Sequence, residues 1–335
     1  MKKLRSGDWV EVRSAEEILA TLDDKGRLEA LPFMPEMLQY CGKKFRVYKS
    51  AHKTCDTIEK PVNRRMNNAV HLEGLRCDGV AHGGCQAGCL LFWKKAWLKP
   101  VPGEGSRVEM RGGTRPAGNG FSAGTGEIRC DLEALDQATR APAGMENQAN
   151  EVRERYVCQA TEMLRATTPL KWWDPRPYVI DLVSGNVRIR DFIRYIAIAA
   201  YNIVMRLRWP WRTYPSILGL AKDKTPAEVQ NFQPGELVQV RSKAEIMQTI
   251  NARQRNRGLW FDVEMVPFCG KTFRVLRRVE KIINDKTGAM LRMSNSCLIL
   301  EGVVCGGCLS QNRLFCPRSI YPYWHEIWLK RVDEA

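Results

Sequence analysis

The sequence lacks most of the short motifs by which a chain of 335 residues reveals a common activity. It contains no Walker loop, no Rossmann glycine fingerprint, no G-x-S-x-G nucleophile elbow and no H-E-x-x-H metal site. Histidine is scarce, with four residues in the whole chain. These absences argue against the enzyme classes built on those motifs. They leave the 12 cysteines as the most informative chemistry in the sequence.

Long hydrophobic runs are also missing. The longest apolar stretch, residues 195–205, contains Asn202 and is far shorter than the roughly 20 residues that a membrane-spanning helix needs. The first nine residues, MKKLRSGDW, have no apolar central region, so we expect no signal peptide. We therefore expect a cytoplasmic protein, in which the reducing environment keeps cysteines as thiols available for metal binding or thiol chemistry.

Acidic residues are in the minority, and the formal net charge is +15. Such a charge favours a polyanionic partner such as nucleic acid, an acidic protein or an anionic membrane surface. No long block of lysine or arginine is present, so the same excess could instead be spread over solvated faces. The 44% of apolar residues is ordinary for a folded protein.

Several segments of the chain occur twice. GDWVEVRS at residues 7–14 returns as GELVQVRS at 235–242, CGKKFRV returns as CGKTFRV, and LEGLRC returns as LEGVVC. The residue numbers differ by 228 in all three pairs, which indicates two copies of one fold. We divide the chain into copy one (1–102), a Gly-rich linker (103–150), a helical connector (151–232) and copy two (233–335).

Each copy shows the pattern of a small β structure. An alternating strand ends on Ser14 or Ser242, and a glutamate three residues later completes a helix-capping box. Further alternating strands follow, and each copy closes on a strand that we expect to contribute core tryptophans, Trp93, Trp97, Trp324 and Trp328. The predicted fold is mainly β with some α, with two duplicated small β-barrel modules joined by a helical connector. The opening pattern G-x-x-V-x-V-R resembles the first strand of SH3-like or KOW-type barrels, and this resemblance implies a barrel of that type.

The connector has two helix signals. The run from 187 to about 208 has no helix breaker and repeats apolar residues at helical spacing. Thr225-Pro226-Ala227-Glu228 is typical of a helix start. Arginines surround the apolar run, and tryptophans follow it, a composition also found in interfacial membrane helices. The sequence favours a connector helix packed against the modules over peripheral membrane contact through residues 187–212.

The first set of candidate metal ligands belongs to copy one. Its cysteine-rich loop reads CDGVAHGGCQAGC, in which glycines allow the backbone to fold tightly round an ion. We predict that a centre here is held by Cys55, Cys77, Cys85 and Cys89, with His52 and His82 as possible additional ligands. Four ligands make this a closed site, suited to a structural or electron-relay role.

Copy two has a different set, Cys305, Cys308 and Cys316, in the string CGGCLSQNRLFCP. The position that corresponds to Cys55 is Ile283, so the sequence offers Cys297 or His325 as a fourth ligand. If neither side chain reaches the metal, one coordination position stays open, as in catalytic sites. The sequence thus predicts that copy two is the better place for chemistry.

Two metals fit these cysteines. The spacing C-x2-C-x7-C-P ends on the cysteine-proline pair of bacterial ferredoxin-like loops and favours an iron-sulfur cluster. Zinc is the alternative, since four thiolates also suit its tetrahedral preference. The first hypothesis is an iron-sulfur protein in redox or sulfur-transfer chemistry with a redox partner. The second is a zinc-stabilised binding protein for nucleic acid or an acidic partner.

Overall fold

The computed structural model describes residues 4–60, 62–101, 130–140, 154–171, 173–209, 212–222 and 224–332. The fold is mixed α/β and consists mostly of sheets, with a half-barrel and few helices. Most of the predicted Gly-rich linker, 103–150, lies outside the described residues. Its described part, 130–140, contains a short helix whose Leu135 is buried in the core of copy one, beside Cys130.

The first half of the chain forms a five-stranded sheet and a smaller one. Their strands, with a short β2–β3 hairpin, are β1 (Trp9–Val12), β2 (Arg27–Leu28), β3 (Leu31–Pro32), β4 (Lys44–Ser50), β5 (Lys53–Cys55), β6 (Asn63–Met66), β7 (Ala69–Arg76), β8 (Leu90–Lys94), β9 (Leu98–Pro100) and β10 (Thr167–Pro169). The large sheet has the order β8-β7-β4-β1-β9, and the small sheet has the order β10-β6-β5.

The second half forms a sheet of the same order. Its strands, again with a short hairpin (β12–β13), are β11 (Leu237–Val240), β12 (Arg255–Asn256), β13 (Leu259–Trp260), β14 (Thr272–Ile283), β15 (Met290–Leu300), β16 (Trp324–His325) and β17 (Leu329–Arg331). The order β16-β15-β14-β11-β17 repeats that of the first sheet strand for strand. The register also repeats, because Val10 pairs with Phe45 and Val238 pairs with Phe273.

In the described part of the chain, six α-helices accompany the sheets. They are α1 (Ala15–Leu19), α2 (Leu132–Gln137), α3 (Met163–Ala166), α4 (Arg176–Val183), α5 (Ile189–Arg208) and α6 (Lys243–Thr249). The predicted capping boxes are confirmed at α1 and α6. The hydroxyls of Ser14 and Ser242 each accept from the backbone N–H of the glutamate three residues on, and each glutamate accepts from the serine N–H.

The four predicted core tryptophans are all fully buried. In copy one Phe33 lies edge-on to Trp97, with ring centroids 5.2 Å apart. In copy two Phe261 takes the same position against Trp328 at 5.3 Å. Edge-to-face aromatic pairs of this kind add to the stabilisation from burial. The two copies therefore have matching cores.

The prediction of a helix that starts at Pro226 is wrong, because the described residues between 224 and 236 contain no helix. Contacts with the β12 turn replace it. The Thr225 hydroxyl accepts from the N–H of Arg257 at 2.9 Å, and the Pro226 carbonyl accepts from the Asn256 side chain at 3.0 Å. Side chains and carbonyls engaged in this way compete with the backbone hydrogen bonds of a helix.

The expected packing of α5 against the modules holds on one side only, where Phe192 stacks on Phe315. The helix forms as predicted, but most of its apolar residues are exposed, including Ile193 and Leu207. Hydrophobic periodicity predicts a helix and an apolar face, but it does not say what covers that face. Within the described part of the chain, no helix has the length and apolar character needed to cross a membrane.

Candidate metal centres

The two cysteine loops each contact the opposite copy. In copy two, the Cys316 sulfur accepts from the backbone N–H of Cys55, at the end of β5 in copy one, at 3.1 Å. In copy one, the Cys85 sulfur accepts from the backbone N–H of Ile283, at the end of β14 in copy two, at 3.4 Å. Ile283 is the counterpart of Cys55. The contacts are thus reciprocal.

A pair of lysines repeats this exchange. Lys53 donates to the Leu314 carbonyl at 2.9 Å, and its counterpart Lys281 donates to the Gly83 carbonyl at 2.7 Å. The loop of copy two is three residues longer than that of copy one, so Gly83 corresponds to Leu314, as Cys85 corresponds to Cys316. The strand segment of each copy that ends at residue 55 or 283 therefore holds the cysteine loop of the other copy.

This exchange corrects the grouping expected from the sequence. Cys55 was expected to act with Cys77, Cys85 and Cys89 of its own copy, and copy two was expected to lack a ligand at the equivalent position, Ile283. The structure instead puts Cys55 against Cys316 of copy two, and puts Ile283 against the loop of copy one. The sequence repeat matches positions along the chain, but it does not show which copy each position contacts.

The first candidate centre consists of Glu36, Cys77 and His82. Among the described residues it is the only group of three or more histidine, cysteine or acidic side chains whose ligand atoms all lie within 4.8 Å of one another. The Cys77 thiol donates to Glu36 Oε1 at 2.9 Å. His82 Nδ1 lies 3.2 Å from the same oxygen. Glu36 comes from a 3-10 turn at Pro35–Tyr40, and the other two residues come from the loop.

The orientation of His82 is that of a metal ligand. Its Nε2 lies 3.0 Å from the Val157 carbonyl oxygen, which can only accept, so Nε2 carries the proton. Nδ1 then faces the Glu36 carboxylate, with a lone pair in the neutral ring and with a second N–H in the imidazolium. Both His82 Nδ1 and Glu36 Oε2 are buried without a hydrogen-bond partner in the described structure. A cation between these atoms would satisfy both of them.

Burial and the charges of neighbouring groups shift the pKa values of Glu36 and Cys77. Burial disfavours the Glu36 carboxylate, but hydrogen bonding and charge from His82, together with the Cys77 thiol, hold the pKa of Glu36 below its ordinary value. Burial, and then the Glu36 charge, raise the pKa of Cys77 well above that of a free thiol. A bound cation reverses this effect, because a coordinating thiol loses its proton.

A small cavity of about 30 Å³ adjoins this centre. Its lining includes His82 and the four cysteines Cys77, Cys85, Cys89 and Cys158, with Ile283 from copy two. The volume corresponds to about one water molecule. Burial raises the pKa of Cys89 to about 11 and that of Cys158 to about 12. Cys158 was not a sequence candidate, because it lies alone on the chain, far from the loop.

The second candidate centre is formed by Cys55 from copy one with Cys305 and Cys316 from copy two. Cys55 and Cys316 are almost completely buried. A hydrogen bond to Cys316, followed by burial, raises the pKa of Cys55 well above its ordinary value. Burial opposes ionisation of Cys316, but the bond from Cys55 lowers its pKa. Burial, then Glu264 and Cys55, raise the pKa of Cys305. These sulfurs are not all within 4.8 Å of one another.

Cys308, the third cysteine of this loop, lies at its outer side. Its thiol donates to the Gly306 carbonyl at 3.3 Å, and burial followed by Glu264 raises its pKa to about 11. The backbone is held firmly, since the Glu264 carboxylate accepts from the N–H groups of Cys308, Leu309 and Ser310 at 3.1, 2.7 and 2.8 Å. Three such bonds attach the loop to the 3-10 turn Val263–Phe268, which contains Glu264.

The other sequence candidates lie in different surroundings. Cys297 is buried in β15 against Val279 and faces His325 across the strand pair. His325 Nε2 lies 3.2 Å from the Asn256 carbonyl. His52 Nε2 lies 2.9 Å from the Pro177 carbonyl, and burial, with the charge of Lys53, lowers the pKa of His52 to about 4. None of these three side chains belongs to either centre in the described structure.

Sequence reasoning missed Glu36, the only acidic side chain of the first centre. The repeat held a usable signal, because Glu36 and Glu264 occupy equivalent positions, each followed by methionine. Both are buried, which is rare for a glutamate without a partner. One of them faces a histidine and a thiol, and the other binds backbone amides, so equivalent residues serve different purposes in the two copies.

Comparison of the chain with protein-family models, with curated proteins and with solved structures found no match.

Proposed function

We propose that this chain is a metalloprotein with two centres, each formed where a cysteine loop of one copy meets the other copy. The ligands of the first centre are Glu36, Cys77 and His82. Those of the second include Cys55, Cys305 and Cys316, with Cys308 on the same loop. The modules that carry them are proposed to be small SH3-like barrels, in line with the resemblance of their first strands.

The observation that carries the proposal is the state of His82. The Val157 carbonyl accepts from His82 Nε2, and His82 Nδ1 lies 3.2 Å from the Glu36 carboxylate inside the protein. This close approach requires a cation between the two atoms, and we propose that a metal ion, rather than a second proton on His82, takes this place. A ligating histidine that donates its other N–H to a backbone carbonyl is the common arrangement in protein metal sites.

The donor set of the first centre supports zinc over an iron-sulfur cluster. Zinc accepts thiolate, imidazole and carboxylate ligands together, whereas iron-sulfur clusters are held mainly by thiolates. We therefore propose zinc at the first centre, and we treat the iron-sulfur prediction as an outcome that the experiment distinguishes.

The two centres are proposed to have different roles. The first has three proposed ligands, and Ile283 occupies the place that Cys55 occupies in the second, so the other copy supplies no thiol there and a bound ion would keep one coordination position open. A zinc ion with an open position acts as a Lewis acid or activates water. The second centre gains Cys55 from the other copy and is proposed to be closed and structural. This reverses the assignment made from the sequence, in which copy two was the reactive half.

The test is the metal content of the full-length protein purified without oxygen. We expect about two zinc ions per chain in the wild type. Cys77→Ser and His82→Ala should each lower the content to about one, because each removes one of three ligands at the first centre. Cobalt substitution provides a second readout, since thiolate-bound cobalt absorbs visible light and this absorbance should fall in Cys77→Ser.

The control is Cys41→Ser, which alters a half-buried thiol after the 3-10 turn that carries Glu36 and should leave both metals in place. Retention of two zinc ions in both Cys77→Ser and His82→Ala would contradict the first centre. Bound iron and sulfide, with strong visible absorbance, would instead establish the iron-sulfur hypothesis and overturn the zinc assignment.

A further inference from the structure

Helix α5 presents an apolar stripe to solvent along its whole length. Leu207 is 84% exposed and Ile193 is 63% exposed, values far above those of a packed helix face. The stripe consists of residues three or four apart, which lie on one side of an α-helix: Ile189, Ile193, Ile196, Ala200, Ile203, Val204 and Leu207. An exposed apolar surface of this size marks an interaction site.

Two residues outside the stripe attach α5 to the protein: Phe192, at the edge of the stripe, and Asn202, on the opposite side of the helix. Phe192 stacks on Phe315 with ring centroids 5.2 Å apart. Asn202, the buried residue of the helix, donates to the Tyr214 carbonyl and accepts from the Tyr214 N–H, both at 2.6 Å. These contacts fix the rotation of the helix about its axis. The apolar stripe therefore faces outward because of the packing, and not because the helix is unrestrained.

Positive charge borders the stripe. At 100° per residue, Arg190 and Arg208 lie just beside it, and Arg194 lies slightly farther round the same side. Arg206 lies on the other flank, and Asp191 is the only acidic residue between Ile189 and Arg208. Trp209, which is exposed, follows the last turn. An apolar face, flanking arginines and a terminal tryptophan are the features of helices that lie in a membrane interface.

The charge decides between possible occupants. A second copy of α5 would bring arginines against arginines with one aspartate per helix to offset them, which is unfavourable. A surface of anionic phospholipid offers acyl chains to the stripe and negative headgroups to the arginines. We propose that α5 is a surface-binding helix that lies parallel to an anionic membrane with its apolar stripe inserted. The proposal is independent of the metal centres.

The test is sedimentation of the full-length protein with vesicles of phosphatidylcholine, with or without phosphatidylserine. We expect binding only when phosphatidylserine is present, and weaker binding at high salt, which screens exposed charges. The double variant Arg190→Glu/Arg194→Glu should bind at least about tenfold more weakly. The double variant Ile193→Ser/Leu207→Ser should lose a similar factor, because it removes buried apolar area.

Two control variants change the same kinds of side chain away from the helix. Val229→Ser alters a valine that is 74% exposed, and Lys25→Glu reverses an exposed charge on a turn of copy one. Both should bind vesicles like the wild type, and circular dichroism should show unchanged helix content in all variants. Equal losses in the control and helix variants would overturn the assignment to α5.

Three other outcomes would overturn the proposal. The first is equal binding to vesicles with and without phosphatidylserine, or binding to neither. The second is a dimer in solution that Ile193→Ser/Leu207→Ser dissociates, which would make a second copy the occupant. The third is tight binding to nucleic acid that depends on Arg190 and Arg194 but not on Leu207, which would make the helix a phosphate-binding surface.

Discussion

His71 shows how much a single buried side chain contributes to the response of this protein to pH. The side chain is fully buried in β7. Its Nδ1 lies 2.9 Å from the Leu91 carbonyl oxygen. Nδ1 therefore carries the proton of the neutral ring, and Nε2 is unprotonated. Nε2 has no partner in the described structure. Burial lowers the pKa of His71 from 6.5 to about 3.

We predict that acid destabilises the protein partly through His71. Below pH 6.5 the unfolded chain takes up a proton that the folded protein refuses until about pH 3, so stability falls as the pH falls through this window. The loss is about 1.4 kcal/mol for each pH unit. His71→Asn, which can still donate to Leu91, should reduce this pH dependence by about one proton.

The measurement is urea unfolding of both proteins at pH 7.5, 6.0 and 5.0. The difference between the two proteins isolates His71, because His52 and His325, whose pKa values are also lowered by burial, contribute equally to each. The same pH dependence in both proteins would show that His71 is protonated in the folded state or is accessible to water.

At the scale of elements, the cysteine loops depend on glycines at defined positions. Gly79 and Gly307 are equivalent and adopt positive φ angles of 77° and 63°. A methyl group on Gly79 would lie 2.0 Å from the Cys85 carbonyl oxygen, and one on Gly307 would lie 2.8 Å from the Cys316 nitrogen. Each glycine therefore brings the start of its loop close against the backbone of the cysteine that contacts the other copy.

Gly79→Ala should disrupt the first centre more than backbone strain alone can explain. Gly74→Ala is the matched control, since Gly74 has a φ of 73° but no atom within 4 Å of an added methyl group. Both changes carry the cost of a positive φ, roughly 1 kcal/mol. Only Gly79→Ala also displaces Cys85 and the turn in which the His82 N–H donates to the Gly79 carbonyl at 3.0 Å, so we expect it to lose the first metal and to show an unfolding free energy lower by several kcal/mol.

Metal analysis and thermal unfolding of the two variants provide the check. Gly302→Ala, in copy two, repeats the control, because Gly302 has a φ of 70° and equally open surroundings. If Gly79→Ala and Gly74→Ala behave alike, the close approach of Gly79 to Cys85 does not matter for the centre.

The elements that could be predicted from sequence are those whose causes are local. Capping boxes at Ser14 and Ser242, the alternating first strands and the α5 helix all depend on residues within a few positions of one another, and all are present. The helix at Pro226 is absent because Thr225 and Pro226 make contacts with residues distant in sequence. The apolar side of α5 is exposed because no distant element of the described structure covers it. The cysteine clusters could be found from spacing, but Glu36 could be found only by comparing buried positions of the two copies.

At the scale of the whole molecule, the two copies act as an intramolecular pair that exchanges short arms. The arms are the segments 53–55 and 281–283, each bonded to the loop of the other copy. Buried Arg318 adds to the junction by donating to the Cys55 carbonyl and the Thr57 hydroxyl. Such an arrangement makes the cysteine loop of each copy depend on residues that are 198 or 261 positions away in sequence.

Cys55→Ser tests this dependence, because Cys55 lies in the sequence of copy one but contacts the loop of copy two. We predict that the change loosens the loop 305–316 and leaves the loop 77–89 intact. The reason is that the Cys55 thiol donates to Cys316, whereas Ile283 occupies the equivalent place at copy one. Hydrogen exchange followed by mass spectrometry reports the two loops separately, and local opening raises the exchange rate of the affected segment.

The matched change is Ile283→Ser, which should loosen the loop 77–89 instead, since Ile283 is buried against Cys85. The two variants should therefore show opposite patterns, each affecting the loop of the other copy. If Cys55→Ser raises exchange in residues 77–89, then Cys55 serves its own copy, as its position in the sequence first suggested. The exchange of arms would then be wrong, and with it the assignment of the open position to the first centre.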